Sequence, residues 1–368
     1  MTACPERGVA TAAADAGQPI SATTPDIEDV IGYDALWESM ERCKRGVMWK
    51  PSVARFVMDA PYEIERLRRE LHEGTYRQGQ PRRFVVTSPK RRAILGIPFR
   101  DRVVQRSFND NLLYPLISRT WIYDNYACQT GKGTDFGRER IRCHLERHYR
   151  RHGLAGAICC LDIKGYYDHL SWDLIQRNLS SKVPSWGVDH AMDVIRSQGG
   201  DGFGVTAGSQ TSQVVGVDYL DGMDHYIKER LHVRGYGRYM DDAVMVHPDG
   251  EFLEGSLSDI AMLLSDVGLS LHPEKTKILP VWHPFDFLGF TFRLTATGRV
   301  EMRLKLESVR RMKRRVARLI RLEAQGLRDD GTSDMAYEGW RAHALKGTSF
   351  DIVSDCDQWY ADKKGKTC

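Results

Sequence analysis

The sequence predicts an α+β fold, and three observations carry that expectation. Apolar residues recur at helical spacing near both ends of the chain: Leu36, Met40 and Cys43, then Ile64, Leu67 and Leu71, and far downstream Val309, Met312, Val316, Leu319 and Ile320. Residues 157–163 form an apolar run that closes on an acid, Asp162, the pattern of a buried central strand. Residues 236–240 and 243–246 are two more apolar runs, joined by Asp241-Asp242, which reads as a β-hairpin with a two-residue acidic turn.

In chain order, residues 1 to about 27 are rich in Ala, Thr, Gly and Pro with no apolar period, so a disordered tail is expected there. Residues 28–75 read as a helical extension. Residues 84–86 and 93–98 read as short strands around the basic turn Lys90-Arg91-Arg92, and 102–118 and 134–150 as helices. The strand at 157–163 is followed by helices at 174–179 and 188–195. Gly208 opens another helix, with Val214, Val217, Leu220, Met223 and Ile227 on one side. After the hairpin come a helix at 252–267 and strands at 277–280 and 285–292. The last periodic segment, near 307–323, turns its apolar residues to one face and most of its arginines to the other. There is no internal repeat and no Gly/Ser linker, which predicts one continuous body.

A chain of 368 residues can bury a sizeable core and hold two or three subdomains. No apolar run approaches the roughly 20 residues of a membrane helix, and no basic n-region precedes an apolar stretch at the N-terminus. A cytoplasmic protein with no membrane partner is expected. The eight cysteines are scattered without a CxxC pair, which suits reduced core cysteines better than a disulfide framework or a zinc site. Net charge is only +4, but it is uneven: Arg77 to Arg106 and Arg303 to Arg328 each carry a net +8. Two basic blocks around an acidic middle suit a polyanion gripped from two sides, although a charge run by itself is usually just a solvated face.

Asp162 at a strand end and Asp241-Asp242 at a hairpin are acids from separate segments that a sheet can bring together. Such carboxylates repel one another unless cations neutralise them. Magnesium prefers hard oxygen ligands, so two or three aspartates suffice for it. Taken alone, Asp241-Asp242 is better read as a hairpin turn that favours Asp.

The motifs around these acids resemble those of reverse transcriptases. Tyr239-Met240-Asp241-Asp242 resembles the family's central metal-binding hairpin, and Leu161-Asp162-Ile163-Lys164-Gly165-Tyr166-Tyr167-Asp168 its other metal-binding strand. Gly208-Ser209-Gln210-Thr211-Ser212-Gln213 resembles the element beneath the nascent base pair. Upstream, Pro89-Lys90-Arg91-Arg92, Gly96-Ile97-Pro98 and Asp101-Arg102-Val103-Val104-Gln105 resemble the fingers motif. Downstream, Leu271-His272-Pro273-Glu274-Lys275-Thr276 and Phe287-Leu288-Gly289-Phe290 resemble the last palm motifs. At least six motifs stand in the family's order over roughly 76–292. Each is weak alone, and the ordered set is specific.

The resemblance implies a right-hand polymerase with fingers (76–156), a palm built on an antiparallel sheet (157–292, with fingers-palm helices at about 174–200) and a small helical thumb with the C-terminal segment (293–368). It implies an RNA-directed DNA polymerase that takes dNTPs, a template RNA and a primer, and makes cDNA. Asp162, Asp241 and Asp242 would hold two Mg2+ ions, with the Ile163 carbonyl helping and Mn2+ as a substitute. Lys275 matches a lysine placed to protonate pyrophosphate, or is simply a solvated lysine. Lys90 and Arg92 would meet the triphosphate, since cationic donors suit phosphate oxygens. Ala207, Gly208 and Gln213 would line the dNTP pocket. Tyr167, five residues after Asp162, matches the ring that collides with a ribose 2′-hydroxyl, or is a core aromatic. Phe287, Leu288 and Gly289 would support the primer, and Arg311, Arg314, Arg315 and Arg318 would track phosphates.

About 75 residues follow the motifs, too few for a thumb plus an RNase H or endonuclease domain. Group II intron enzymes carry Gln-Gly…Ser-Pro in the middle motif, whereas this chain has Ala207-Gly208…Ser212-Gln213. The Ser-Gln ending, Tyr126-Ala127-Cys128 with Gly131-Lys132-Gly133-Thr134, and Trp340-Arg341-Ala342-His343-Ala344 resemble the enzymes of diversity-generating retroelements. Those enzymes copy RNA with errors opposite adenine, helped by a small basic accessory protein. Ala207 departs from the larger aliphatic residue usual in them. Antiviral-defence reverse transcriptases that work with their own noncoding RNA share the same palm and remain an alternative. A palm-fold RNA-dependent RNA polymerase and an inactive RNA-binding protein are further alternatives, disfavoured by Tyr167 and by the intact acids.

Overall fold

The computed structural model describes residues 24–87 and 92–365. The expected tail therefore lies outside the described residues up to position 23, as do Lys90 and Arg91.

Four helices open the described chain: α1 (Glu28–Ile31), α2 (Tyr33–Lys44), α3 (Pro51–Met58) and α4 (Ala60–His72). Their apolar faces bury Leu36, Met40, Val53, Ile64 and Leu67 in the largest core. Strands β1 (Arg82–Val86) and β2 (Arg92–Gly96) pair antiparallel, as the sequence suggests. Helix α5 (Phe99–Phe108) runs through a π turn (Asn109–Leu113) into α6 (Tyr114–Ile117), so the helix expected at 102–118 is one path with a bulge. Helix α7 (Thr134–His152) leads to β3 (Ala157–Asp162).

Strand β3 is followed by a 3₁₀ turn (Tyr166–His169), α8 (Trp172–Ser180) and α9 (Ser185–Arg196). The single helix expected after Gly208 is broken into α10 (Gln210–Asp218) and α11 (Asp221–His225), with a π turn at Tyr226–Arg230. Tertiary bonds hold the break open: Lys182 Nζ reaches Asp218 Oδ1 at 2.7 Å and Asp221 Oδ2 at 3.2 Å, and Trp121 Nε1 donates to Asp218. Strands β4 (Gly235–Tyr239) and β5 (Asp242–His247) form the hairpin, and α12 (Gly250–Asp266) and β6 (Lys277–Pro280) follow.

The central sheet has the order β4-β5-β3-β6 and is antiparallel throughout. Strand β3 is interior, which is why its run is apolar on both faces. Residues 285–292 are not one strand. They split into β7 (Phe285–Phe287) and β8 (Phe290–Leu294), which pair with β9 (Val300–Leu304) in a second antiparallel sheet. Helices α13 (Leu306–Ala324), α14 (Thr332–Ala344) and α15 (Phe350–Gly365) end the chain around Met312, Val316, Ile320, Tyr337 and Cys356. Among the described residues no helix is long and apolar enough to cross a membrane.

Candidate active site

The register of the central sheet puts the three acids side by side. Asp162, the last residue of β3, is the cross-strand partner of Asp242, the first residue of β5. Tyr239 and Asp242 close the hairpin, so the two-residue turn is Met240-Asp241, one residue earlier than the sequence suggested. The reason is backbone conformation. Met240 sits at φ +57°, a first-turn position that favours glycine, and nothing in the residue type announces it. Asp241 O accepts from Ile163 N at 3.3 Å, which ties the turn to the end of β3.

Lys275 Nζ bridges Asp162, at 2.9 Å from Oδ1 and 3.0 Å from Oδ2. Hydrogen bonding to Asp162 raises the Lys275 pKa, and the charges of Asp242 and Asp241 add to it. Asp241 is shifted up by burial and then by repulsion from Asp162, partly offset by Lys275 and Arg92. Asp242 is exposed as a residue, yet partial burial of its carboxyl, then the charges of Asp241 and Asp162, push it up to about 7. An all-oxygen donor set in mutual repulsion is the chemistry that a hard divalent cation relieves. Among the described residues, however, no three His, Cys, Asp or Glu side chains are gathered as a ready ligand group. Lys275 holds both oxygens of Asp162 instead.

A buried network that sequence reasoning missed fixes the turn. Arg238 and Asp224 have no exposed surface. Arg238 Nε donates to Asp224 Oδ1 and Nη2 to Oδ2, both at 2.7 Å; Nη2 also reaches Val217 O at 2.9 Å, and Nη1 reaches Met240 O at 2.9 Å. Tyr236 Oη and Asn125 Nδ2 complete the shell of Asp224 at 2.6 and 3.3 Å. A fork-to-fork pair of this kind is geometrically specific, and it holds a carbonyl of the turn itself. The available signal was an arginine inside an otherwise uncharged strand.

The other predicted residues fall in several places. Arg92 opens β2 and lies within the field of Asp241; Lys90 lies outside the described residues. Tyr167 is half-buried against the core. Burial raises its phenol, with smaller contributions in the same direction from Cys128 and Asp241. The neighbouring Tyr166 hydroxyl donates to Gly216 O. Ala207 O accepts from Leu95 N at 3.1 Å. Gly208, at φ +119°, lies so close to β2 that a Cβ would stand 2.4 Å from Leu95 O. Gln213 lines a cavity of about 320 Å³ together with Gly208, Gln210, Arg102 and Arg106.

Leu288 and Gly289 form the two-residue turn between β7 and β8, at φ +45° and +87°. Arg138 Nη1 donates to Leu288 O at 3.0 Å. Phe287 is 5% exposed and belongs to the second core, so its ring is committed to packing. Arg311, Arg314, Arg315 and Arg318 are exposed on α13, opposite buried Met312, Val316 and Ile320.

Residues 87–292 match the reverse transcriptase (RNA-dependent DNA polymerase) family. The chain belongs to that family. The mixture of helices and antiparallel sheet is that of its right-hand polymerase fold. Solved structures with similarity include the apo telomerase from Candida tropicalis truncated from the C-terminal domain, at 12% identity and a TM-score of 0.44, covering 60% of this chain and 54% of that one. Another is the telomerase from Candida albicans with a TWJ fragment of telomeric RNA, at 11% identity and a TM-score of 0.47, covering 85% and 65%. This reverse transcriptase chain thus spans less than two thirds of either telomerase chain. No curated protein matches it.

Proposed function

We propose that this chain is an RNA-directed DNA polymerase that makes cDNA from an RNA template by two-metal-ion nucleotidyl transfer. The observation that carries the reading is the register pairing Asp162 with Asp242, with Asp241 on the turn between β4 and β5. Asp162, Asp241 and Asp242, with the Ile163 carbonyl, would hold Mg2+ or Mn2+. Such ions, when bound, activate the primer 3′-oxygen and stabilise the leaving pyrophosphate. Occupancy would displace Lys275 from Asp162 and leave its ammonium free to meet the pyrophosphate. Arg92, with Lys90, would neutralise the triphosphate. Tyr167 would exclude ribonucleotides. Ala207, Gly208 and Gln213 would contact the nascent pair, the Phe287-Leu288-Gly289 turn would support the primer, and the four α13 arginines would follow the backbone.

On this reading fingers, palm and thumb occupy 76–156, 157–292 and 293–368, and the enzyme works in the cytoplasm. The Ser212-Gln213 ending of the middle motif favours mutagenic copying within a diversity-generating retroelement, with a small basic accessory protein, while Ala207 departs from that pattern. The test is extension of a primed RNA template with dNTPs and Mg2+, followed by product sequencing. cDNA with errors concentrated opposite adenine, absent with Asp241→Ala/Asp242→Ala, is expected. Uniform fidelity would remove the retroelement assignment and favour a defence enzyme. Synthesis that survives the double substitution would overturn the assignment of the acids.

A further inference from the structure

A second cavity, of about 170 Å³, lies between α7 and the far end of the β4–β5 hairpin. Asp242 and His247 are the two ends of β5, so the cavity is removed from the candidate active site by about 17 Å, at 3.3–3.4 Å per residue. Arg147, Arg151 and Arg234 line it, and no acidic side chain does. Arg140 and Arg142 of α7 are committed: Arg140 pairs with Asp124 at 2.7 Å and Arg142 with Glu139 at 2.5 Å. The guanidiniums of Arg147, Arg151 and Arg234 take part in no ion pair or hydrogen bond among the described residues. Three uncompensated charges around one hollow attract an anion from solution.

Histidines line the same hollow beside those charges. His148 and His152 lie one turn apart on α7 with rings 5.2 Å apart, and His232 and His247 close the other side. His247 Nδ1 lies 3.1 Å from both the N–H and the carbonyl oxygen of Asp249. The volume is below the roughly 300–1,000 Å³ of small-molecule sites, so it suits one phosphate of a longer strand better than a whole metabolite. No large exposed apolar side chain lies within 144–152 or 232–248. A protein partner would meet almost none of the apolar core that interfaces use.

We propose that Arg147, Arg151 and Arg234 form a contact site for the phosphodiester backbone of a nucleic-acid strand running outside the polymerisation cleft. It goes beyond the polymerase reading and is tested by binding alone, without metal or dNTPs, so the two can fail separately. The probes are a fluorescent 30-nucleotide RNA hairpin and its DNA counterpart, titrated with the full chain over a range of KCl concentrations. Each phosphate contact contributes about −0.9 to the slope of log K against log salt on a duplex. Arg147→Ala/Arg151→Ala/Arg234→Ala should therefore flatten the slope by about 2–3, and the corresponding triple lysine variant should restore most of it. Flattening with RNA alone assigns the strand to RNA; equal flattening with both probes assigns it to either duplex. Unchanged slopes would overturn the proposal, including the case in which the face instead takes an acidic protein. A parallel loss of extension on a short primer–template would overturn it too, by tying these arginines to the cleft or to folding.

Discussion

Truncating Arg238 to alanine removes one side of a fully buried ion pair. Asp224, with no exposed surface, would keep only the Tyr236 hydroxyl and the Asn125 amide as partners. Breaking a buried pair in this way costs about 3–5 kcal/mol, because a charge is left uncompensated. The carbonyls of Val217 and Met240 also lose their donor, adding about 1–3 kcal/mol each where no water replaces it. A loss of at least about 3 kcal/mol is therefore expected, a large share of the roughly 5–15 kcal/mol that holds a typical protein folded. Asp224→Leu should cost a similar amount, for the mirror reason. Combining Arg238→Met with Asp224→Leu leaves no buried charge, and should cost little more than either single change. Urea unfolding of wild type, Arg238→Met, Asp224→Leu and the double closes the cycle. A loss below about 1 kcal/mol in the singles, or a double variant that costs their sum, would refute the idea that this pair holds the turn.

Three other outcomes are expected. Gly237→Ala should destabilise by at least about 1–3 kcal/mol as overpacking, since its Cβ would stand 1.8 Å from the hydroxyl oxygen of buried Tyr126; thermal melting reads it. His190 stacks on Phe108 at 3.5 Å with its Nε2 enclosed and unpartnered, and burial holds its pKa down to about 3. Between pH 6.5 and 3 the unfolded chain then binds more protons than the folded one. Stability is full above pH 6.5 and falls as pH drops, by about 2 kcal/mol at pH 5. His190→Phe should flatten that fall in urea titrations at pH 7 and 5. Tyr167→Ala should raise ribonucleotide incorporation at least about tenfold relative to dNTPs, the size of a removed steric clash of about 1.4 kcal/mol; an unchanged ratio would make the ring a packing residue only.

Much of this was legible from residues with strong local patterns. The interior position of β3 followed from its unbroken apolar run, and the amphipathic period of α13 gave its buried and basic faces. The turn at Met240-Asp241 was displaced by one residue because a positive φ at methionine leaves no mark in the sequence. Leu288-Gly289 was legible as a turn around a glycine, yet the run 285–292 looked strand-like because phenylalanines lie on both sides of it. Strand β9 and helices α14 and α15 were not read at all; their apolar residues are interspersed with charged residues and gain burial only through tertiary contact. The Arg238–Asp224 pair joins residues on a strand and a helix, and the unpaired Arg147, Arg151 and Arg234 meet only after α7 packs on the hairpin. Partnerships of this kind belong to the assembled fold.

The most direct test of the central claim is single-nucleotide addition to a primer on an RNA template by wild type and Asp162→Asn, with EDTA added and Mg2+ then restored. The account predicts incorporation by wild type only, lost with EDTA and regained with Mg2+, while Asp162→Asn binds the primed template normally and stays inactive. Incorporation by Asp162→Asn at the wild-type rate would contradict it.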